Sequence, residues 1–61
     1  MDLEFPEVPG WRFNVDEISA GVYRVRGVDR SGRSVETTRT DAEEAIEWCR
    51  SAAREITQPD G

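Results

Sequence analysis

Hydrophobic and polar residues alternate through the middle of the chain, then give way to a helical repeat near its end. Trp11, Phe13 and Val15 are interleaved with Arg12, Asn14 and Asp16, the period-two signature of a strand with one buried face. Ile18 breaks the phase and predicts a bulge or turn between Asp16 and Gly21, where Ser19-Ala20-Gly21 supplies small residues and a glycine able to take positive φ. A second strand from Gly21 to Val28 puts Tyr23 and Val25 on one face and Val22, Arg24, Arg26 and Val28 on the other. Asp29-Arg30-Ser31-Gly32 reads as a short hairpin loop, with Asp29 bonding back to nearby amides and Gly32 left-handed. The third strand, Arg33 to Thr40, carries Val35 and Thr37 on one side and Glu36 and Thr38 on the other. Its polarity marks an edge strand.

At Thr40 the period changes. Thr40 with Glu43, or Asp41 with Glu44, forms a capping box, and Asp41, Glu43 and Glu44 put negative charge at the positive end of the helix dipole. Ala42, Ala45, Ile46, Cys49, Ala52, Ala53 and Ile56 then fall on one stripe, with Trp48 at its margin and Glu43, Glu47, Arg50 and Arg54 opposite. About 16 residues make a rod roughly 24 Å long. Pro59, Asp60 and Gly61 do not continue it.

These elements predict an α+β fold, a three-stranded antiparallel meander with one C-terminal helix packed on its apolar face (β-β-β-α). Trp11, Phe13, Tyr23 and Ile46 are expected to supply most of the core volume. Residues 1–10, with Pro6, Pro9, Gly10 and three acids, form an extended lead-in from which Phe5 and Val8 can dock. Residues 11–58 form one domain and 59–61 a tail. A chain this short buries only about 60% of its unfolded surface, which leaves stability at roughly 3 to 5 kcal/mol and favours self-association.

Composition narrows the chemistry. Histidine and lysine are absent, one cysteine is present, and the net charge is −5 over 61 residues. Without histidine most hydrolase constellations fail. Cys49 lies on the alanine-rich stripe, far from the helix N-terminus that would activate it, and reads as a core residue. Neither a Gly-centred calcium loop nor a phosphate-binding glycine run occurs, and Glu43, Glu44 and Glu47 serve capping and solvation. No enzyme activity, cofactor or metal site is expected. A lone cysteine allows no internal disulfide and points to the cytoplasm. The start Met1-Asp2-Leu3-Glu4 lacks signal-peptide character, and no apolar run exceeds two residues, so neither secretion nor membrane association is expected.

Charge is segregated: −4 over residues 1–17, +3 over 18–40 and −4 over 41–61. The open side of the sheet is expected to show Arg12, Asn14, Arg24, Arg26 and Thr38, with Arg30 and Arg33 on the hairpin. Asp16 and Glu36 share that face and can pair with its arginines, and no aromatic residue accompanies them to stack on bases.

The strand and hairpin from Tyr23 to Val35, with Asp29 and Gly32, followed by Thr40-Asp41-Ala42-Glu43-Glu44-Ala45-Ile46, resembles HicB-type antitoxins. The strand-and-helix order is also similar to the second half of double-stranded RNA-binding domains. The resemblance implies a shared fold plan and covers about half the chain. In the RNA-binding domains the last helix opens on lysines that contact phosphates; here that position reads Thr40-Asp41-Ala42-Glu43-Glu44, with the charge inverted.

The function expected is that of a small protein-interaction or regulatory module. It acts on a protein partner or a second copy of itself, as a homodimer, through an edge strand or the open sheet face. On that face Arg12, Val22, Arg24, Arg26, Val28 and Thr38 mix apolar and arginine surface. The alternatives are nucleic-acid binding by the arginine-bearing face, or mimicry of a nucleic acid by the acidic helix face of Glu43, Glu44, Glu47 and Glu55.

Overall fold

A computed structural model describes residues 1–57. Its elements are β1 (Asp2–Leu3), β2 (Arg12–Ser19), β3 (Val22–Val28), β4 (Ser34–Arg39) and α1 (Ala42–Thr57). The strands form one antiparallel sheet in the order β1-β2-β3-β4, with α1 across β3 and β4 alike on one face. The α+β plan is as expected, with one correction: the sheet has four strands. The added strand comes from the lead-in, where Asp2 pairs with Asn14 and Leu3 with Phe13. Two residues are too short to leave a period-two signal, so only the pairing with β2 makes them a strand. The expected tail, 59–61, lies outside the described residues.

Between β1 and β2 the chain makes two turns, closed by bonds from the Val8 amide to the Phe5 carbonyl and from the Trp11 amide to the Val8 carbonyl. Pro9 and Gly10 occupy the centre of the second, and Gly10 takes φ 88° as the third residue of a type II turn must. These turns deliver Val8 into the core, where it is fully buried. Ile18 is the bulged residue between Glu17 and Ser19 and is turned out to solvent. The β3–β4 hairpin closes through Asp29, whose Oδ1 accepts from the amides of Ser31 and Arg33 at 3.0 and 2.8 Å. Gly32 is left-handed there, as read from the sequence. At the helix start Asp41 is the cap, its Oδ1 accepting from the amides of Glu43 and Glu44.

The core comprises Val8, Trp11, Phe13, Val25, Ala45, Cys49 and Ala53. Trp11 stacks on Phe13 with ring centroids 6.0 Å apart and donates its indole N–H to Thr57 Oγ1 at 2.6 Å, which ties the end of α1 to the start of β2. Small residues on α1 permit close approach to the sheet. Two expected core residues contribute less than the pattern implied. Tyr23 sits between Glu17 and Arg39 at the sheet end beside the Ala20–Gly21 turn and is half-buried, as is Ile46. Val8, held in by the lead-in turns, takes the central place.

Gly27 lies opposite Phe13 on the buried face. A Cβ there would sit 2.5 Å from Phe13 Cε2 and 3.1 Å from Val35 Cγ2. The ring cannot retreat, because Phe5 and Trp11 flank it. Gly27→Ala is therefore expected to lower stability by about 1 to 3 kcal/mol, a large share of what a domain this size possesses, read as a fall in melting temperature. An unchanged melting temperature would show that the Phe13 ring is free to shift.

Asp29 generates a second expectation. Its side chain is 6% exposed, and this desolvation pushes its carboxyl up, but the amide, guanidinium and charge of Arg33 and the amide of Ser31 together outweigh it. The result is a carboxyl below its ordinary value of 3.8. Because the folded pKa is depressed, the stabilisation is complete above the unfolded value of about 3.9 and is lost as pH falls through the folded one. Asp29→Asn should lower stability at neutral pH and flatten the decline seen below about pH 4 in an acid denaturation series.

Candidate functional site

Alternation along β3 sends Val22, Arg24, Arg26 and Val28 to the face away from α1, where Arg12 stands opposite Val28 and Thr38 opposite Arg24. All six residues expected on this face are therefore there. Arg33 is not: its Nε binds Asp29 Oδ2 at 2.7 Å and its Nη1 donates to the Ile56 carbonyl at the end of α1. It falls one residue out of phase with the face and is drawn to the carbonyls of the helix C-terminus.

The arginines of the face are engaged with neighbouring carboxylates. Arg24 lies 3.9 Å from Asp16 and 3.8 Å from Glu36, and Arg26 lies 3.8 Å from the same Glu36 oxygen. Arg12 reaches Glu4 at 3.9 Å, and Asn14 donates to Asp2 at 2.8 Å. Asp2, Asp16 and Glu36 thus stand among the three cations, and the face is a mixed-charge lattice. Such exposed pairs add little stability, but they cancel the field a phosphate backbone would need. Beside them Val28 is 46% exposed and helps line an open depression of about 300 Å³ with Arg12, Phe13, Asn14 and Arg26. It is a shallow surface without a nucleophile and base in reach of one another.

The outer strands of the sheet are β1, of two residues, and β4, of six, the strand whose polarity marks it as an edge in the sequence. Among the described residues β4 pairs with β3 on one side and with no strand on the other. Asp29 and Arg33 form a hydrogen-bonded pair, and the register runs unbroken from Val28↔Ser34 to Tyr23↔Arg39. Antiparallel alternation then turns the N–H and C=O groups of Val35, Thr37 and Arg39 toward β3 and those of Ser34, Glu36 and Thr38 outward. Above this edge runs one flank of α1. Arg50 and Arg54 reach Glu7 on the other flank at 3.2 and 3.8 Å, and Arg50 sits over the Phe5 ring. Glu44, Trp48, Ala52 and Ile56 lie on the β4 flank, where Glu44 approaches Arg39 at 3.9 Å. Trp48 and Ile56 are 44% and 40% exposed, with half-buried Ala52 one turn from each.

Cys49 is fully buried, and its thiol donates to the Val25 carbonyl at 3.4 Å. Burial pushes the thiol up to about 11, against a lowering by the Thr37 amide and with a further rise from the Glu36 charge. No group of three or more potential metal-ligating side chains occurs among the described residues. No helix of the described residues is long and apolar enough to cross a membrane. No family model, curated protein or solved structure matches the chain.

The state of Cys49 is directly testable. Labelling by a thiol reagent at pH 8 should be blocked in the folded protein and complete after denaturation, because the thiol is both protonated and enclosed. Rapid labelling under native conditions would mean that α1 lifts from the sheet.

Proposed function

We propose that the chain is a small non-enzymatic interaction module of a reducing cytoplasm that binds protein by strand addition at the free edge of β4. The observation that carries this reading is the row of outward N–H and C=O groups at Ser34, Glu36 and Thr38, which no other strand covers among the described residues. Strand addition satisfies such groups with main-chain bonds, and the neighbouring side chains supply selectivity. Trp48 supports the reading. A large exposed aromatic beside an unpaired edge is the kind of anchor that interfaces favour. On the arginine-bearing face Val22 and Val28 extend the contact surface, with Thr38 joining face to edge.

The alternative of nucleic-acid binding draws less support, since Asp16 and Glu36 stand within 4 Å of Arg24 and Arg26. The resemblance to HicB-type antitoxins is compatible with a regulatory partner but adds no residue to the edge.

Photo-crosslinking in living cells tests the edge directly. A photoreactive amino acid at Thr38 or at Trp48 should give discrete, nuclease-resistant protein adducts, whereas one at Ser51, on the solvent side of α1, should give none. Adducts of equal yield at all three positions, or adducts that nuclease removes, would overturn the reading.

A further inference from the structure

We infer that the occupant of the β4 edge is a second copy of this chain, joined about a two-fold axis at Thr37 to make a continuous eight-stranded sheet. The inference rests on the edge reading above and adds the identity of the partner. Three features of the edge are self-complementary.

The first is register. Outward groups at Ser34, Glu36 and Thr38 require that even-numbered residues face one another across the new junction. Two antiparallel registers overlap the strand most fully. One sets Glu36 against Glu36 of the second copy, and like charges directly opposite are unfavourable. The other sets Glu36 against Thr38 and Thr37 against Thr37, with Val35 against Arg39. It pairs the outward groups of Glu36 and Thr38 in both copies, sets Ser34 opposite Thr40 just past the strand end, and opposes no like charges.

The second is spacing. Strands lie about 4.8 Å apart, and α1 covers β3 and β4 alike, so its axis stands about half a spacing inside the edge. A two-fold at the edge therefore sets the two helices about 10 Å apart, which falls at the 8 to 10 Å typical of packed helices. A helix centred on β4 would collide with its mate, and one centred on β3 would leave a gap.

The third is the side chains at that distance. Cys49 is the helix residue over Val25, which pairs with Thr37, so Trp48 and Ala52 stand level with the axis on the flank that turns to the second copy. The exposed indole has a small residue, Ala52, to lie against across the axis. The helices run antiparallel there. Arg39, opposite Val35 of the second copy, approaches the C-terminal turn of its α1, where Arg33 already holds the Ile56 carbonyl and Glu55 adds a negative charge.

The test is solution mass by light scattering over a concentration series, with three variants. The chain should approach twice its 6.9 kDa mass at high concentration. Glu36→Pro removes an outward amide and is tolerated on a free edge. It should raise the dissociation constant by on the order of 30-fold, as two hydrogen bonds are lost per dimer, with the circular dichroism of the monomer retained. Trp48→Glu, at an exposed position, should do the same and covers the case in which the proline variant does not fold. The double variant Glu36→Cys/Thr38→Cys should form interchain disulfides on mild oxidation, since opposed residues in this register bring Cα atoms to about 5.5 Å. A monomer at every concentration, or a dimer indifferent to Glu36→Pro and Trp48→Glu and untrapped by the cysteines, overturns the inference. A monomer that still yields Trp48 adducts to another protein removes only the self-pairing; a monomer without adducts removes the edge reading as well.

Discussion

The ring of Phe13 rests on the bare backbone of Gly27, and the position of the helix depends on that contact. Any side chain at residue 27 would occupy the space of the ring and lift the buried layer. With glycine there, Trp11 and Phe13 lie nearly parallel, and Ala45, Cys49 and Ala53 join them in one buried cluster. Large residues thus come mainly from the strand side and small ones from the helix side, which is how so short a chain obtains a packed core.

The helix is held unequally on its two flanks. Toward β2 it is tied by the Trp11 indole to Thr57 and by Glu7 to Arg50 and Arg54, while Arg50 also covers Phe5. Toward β4 it is held by Arg33 on the Ile56 carbonyl and by the approach of Arg39 to Glu44, and between these two ends Trp48 is left open. The lead-in accounts for the difference: its two proline turns fold back over one side of the sheet, and β1 covers that edge. On the other side no strand lies beyond β4 among the described residues and Trp48 is exposed on that flank of α1, so the unpaired backbone and the exposed aromatic stand on the same side.

Electrostatics reinforces this asymmetry. The charge segregation along the chain suggests a basic sheet and an acidic helix, yet in space Glu36 and Asp16 are interleaved with Arg24 and Arg26. Opposite charges at cross-strand positions hold one another at the surface and leave the open face with little net field. At the β4 edge, by contrast, main-chain groups rather than charges are unmatched among the described residues.

Much of the fold was legible in the residues. The alternation from Trp11 to Val28, the misfit at Ile18, the Asp29 and Gly32 hairpin and the helix from Ala42 each follow from local chemistry, since side-chain period and turn preference act over a few residues. The six residues expected on the outer face followed from the same period of two. The docking of Val8 was expected from the lead-in. The fourth strand, the reassignment of Arg33 to the helix C-terminus and the half-burial of Tyr23 did not follow from the local pattern. Each depends on which distant segment arrives alongside, as Phe13 does for Leu3 and the Ile56 carbonyl does for Arg33. The free edge belongs to both levels: polarity marked the strand from Arg33 to Thr40 as an edge, but the alignment of Trp48 beside it required the helix to be laid over β3 and β4. The sequence by itself determined the elements and their faces, because periodicity is a property of neighbouring residues; only the tertiary structure decided which flank stayed open, because that turns on the packing of residues 46 positions apart, as Trp11 and Thr57 are.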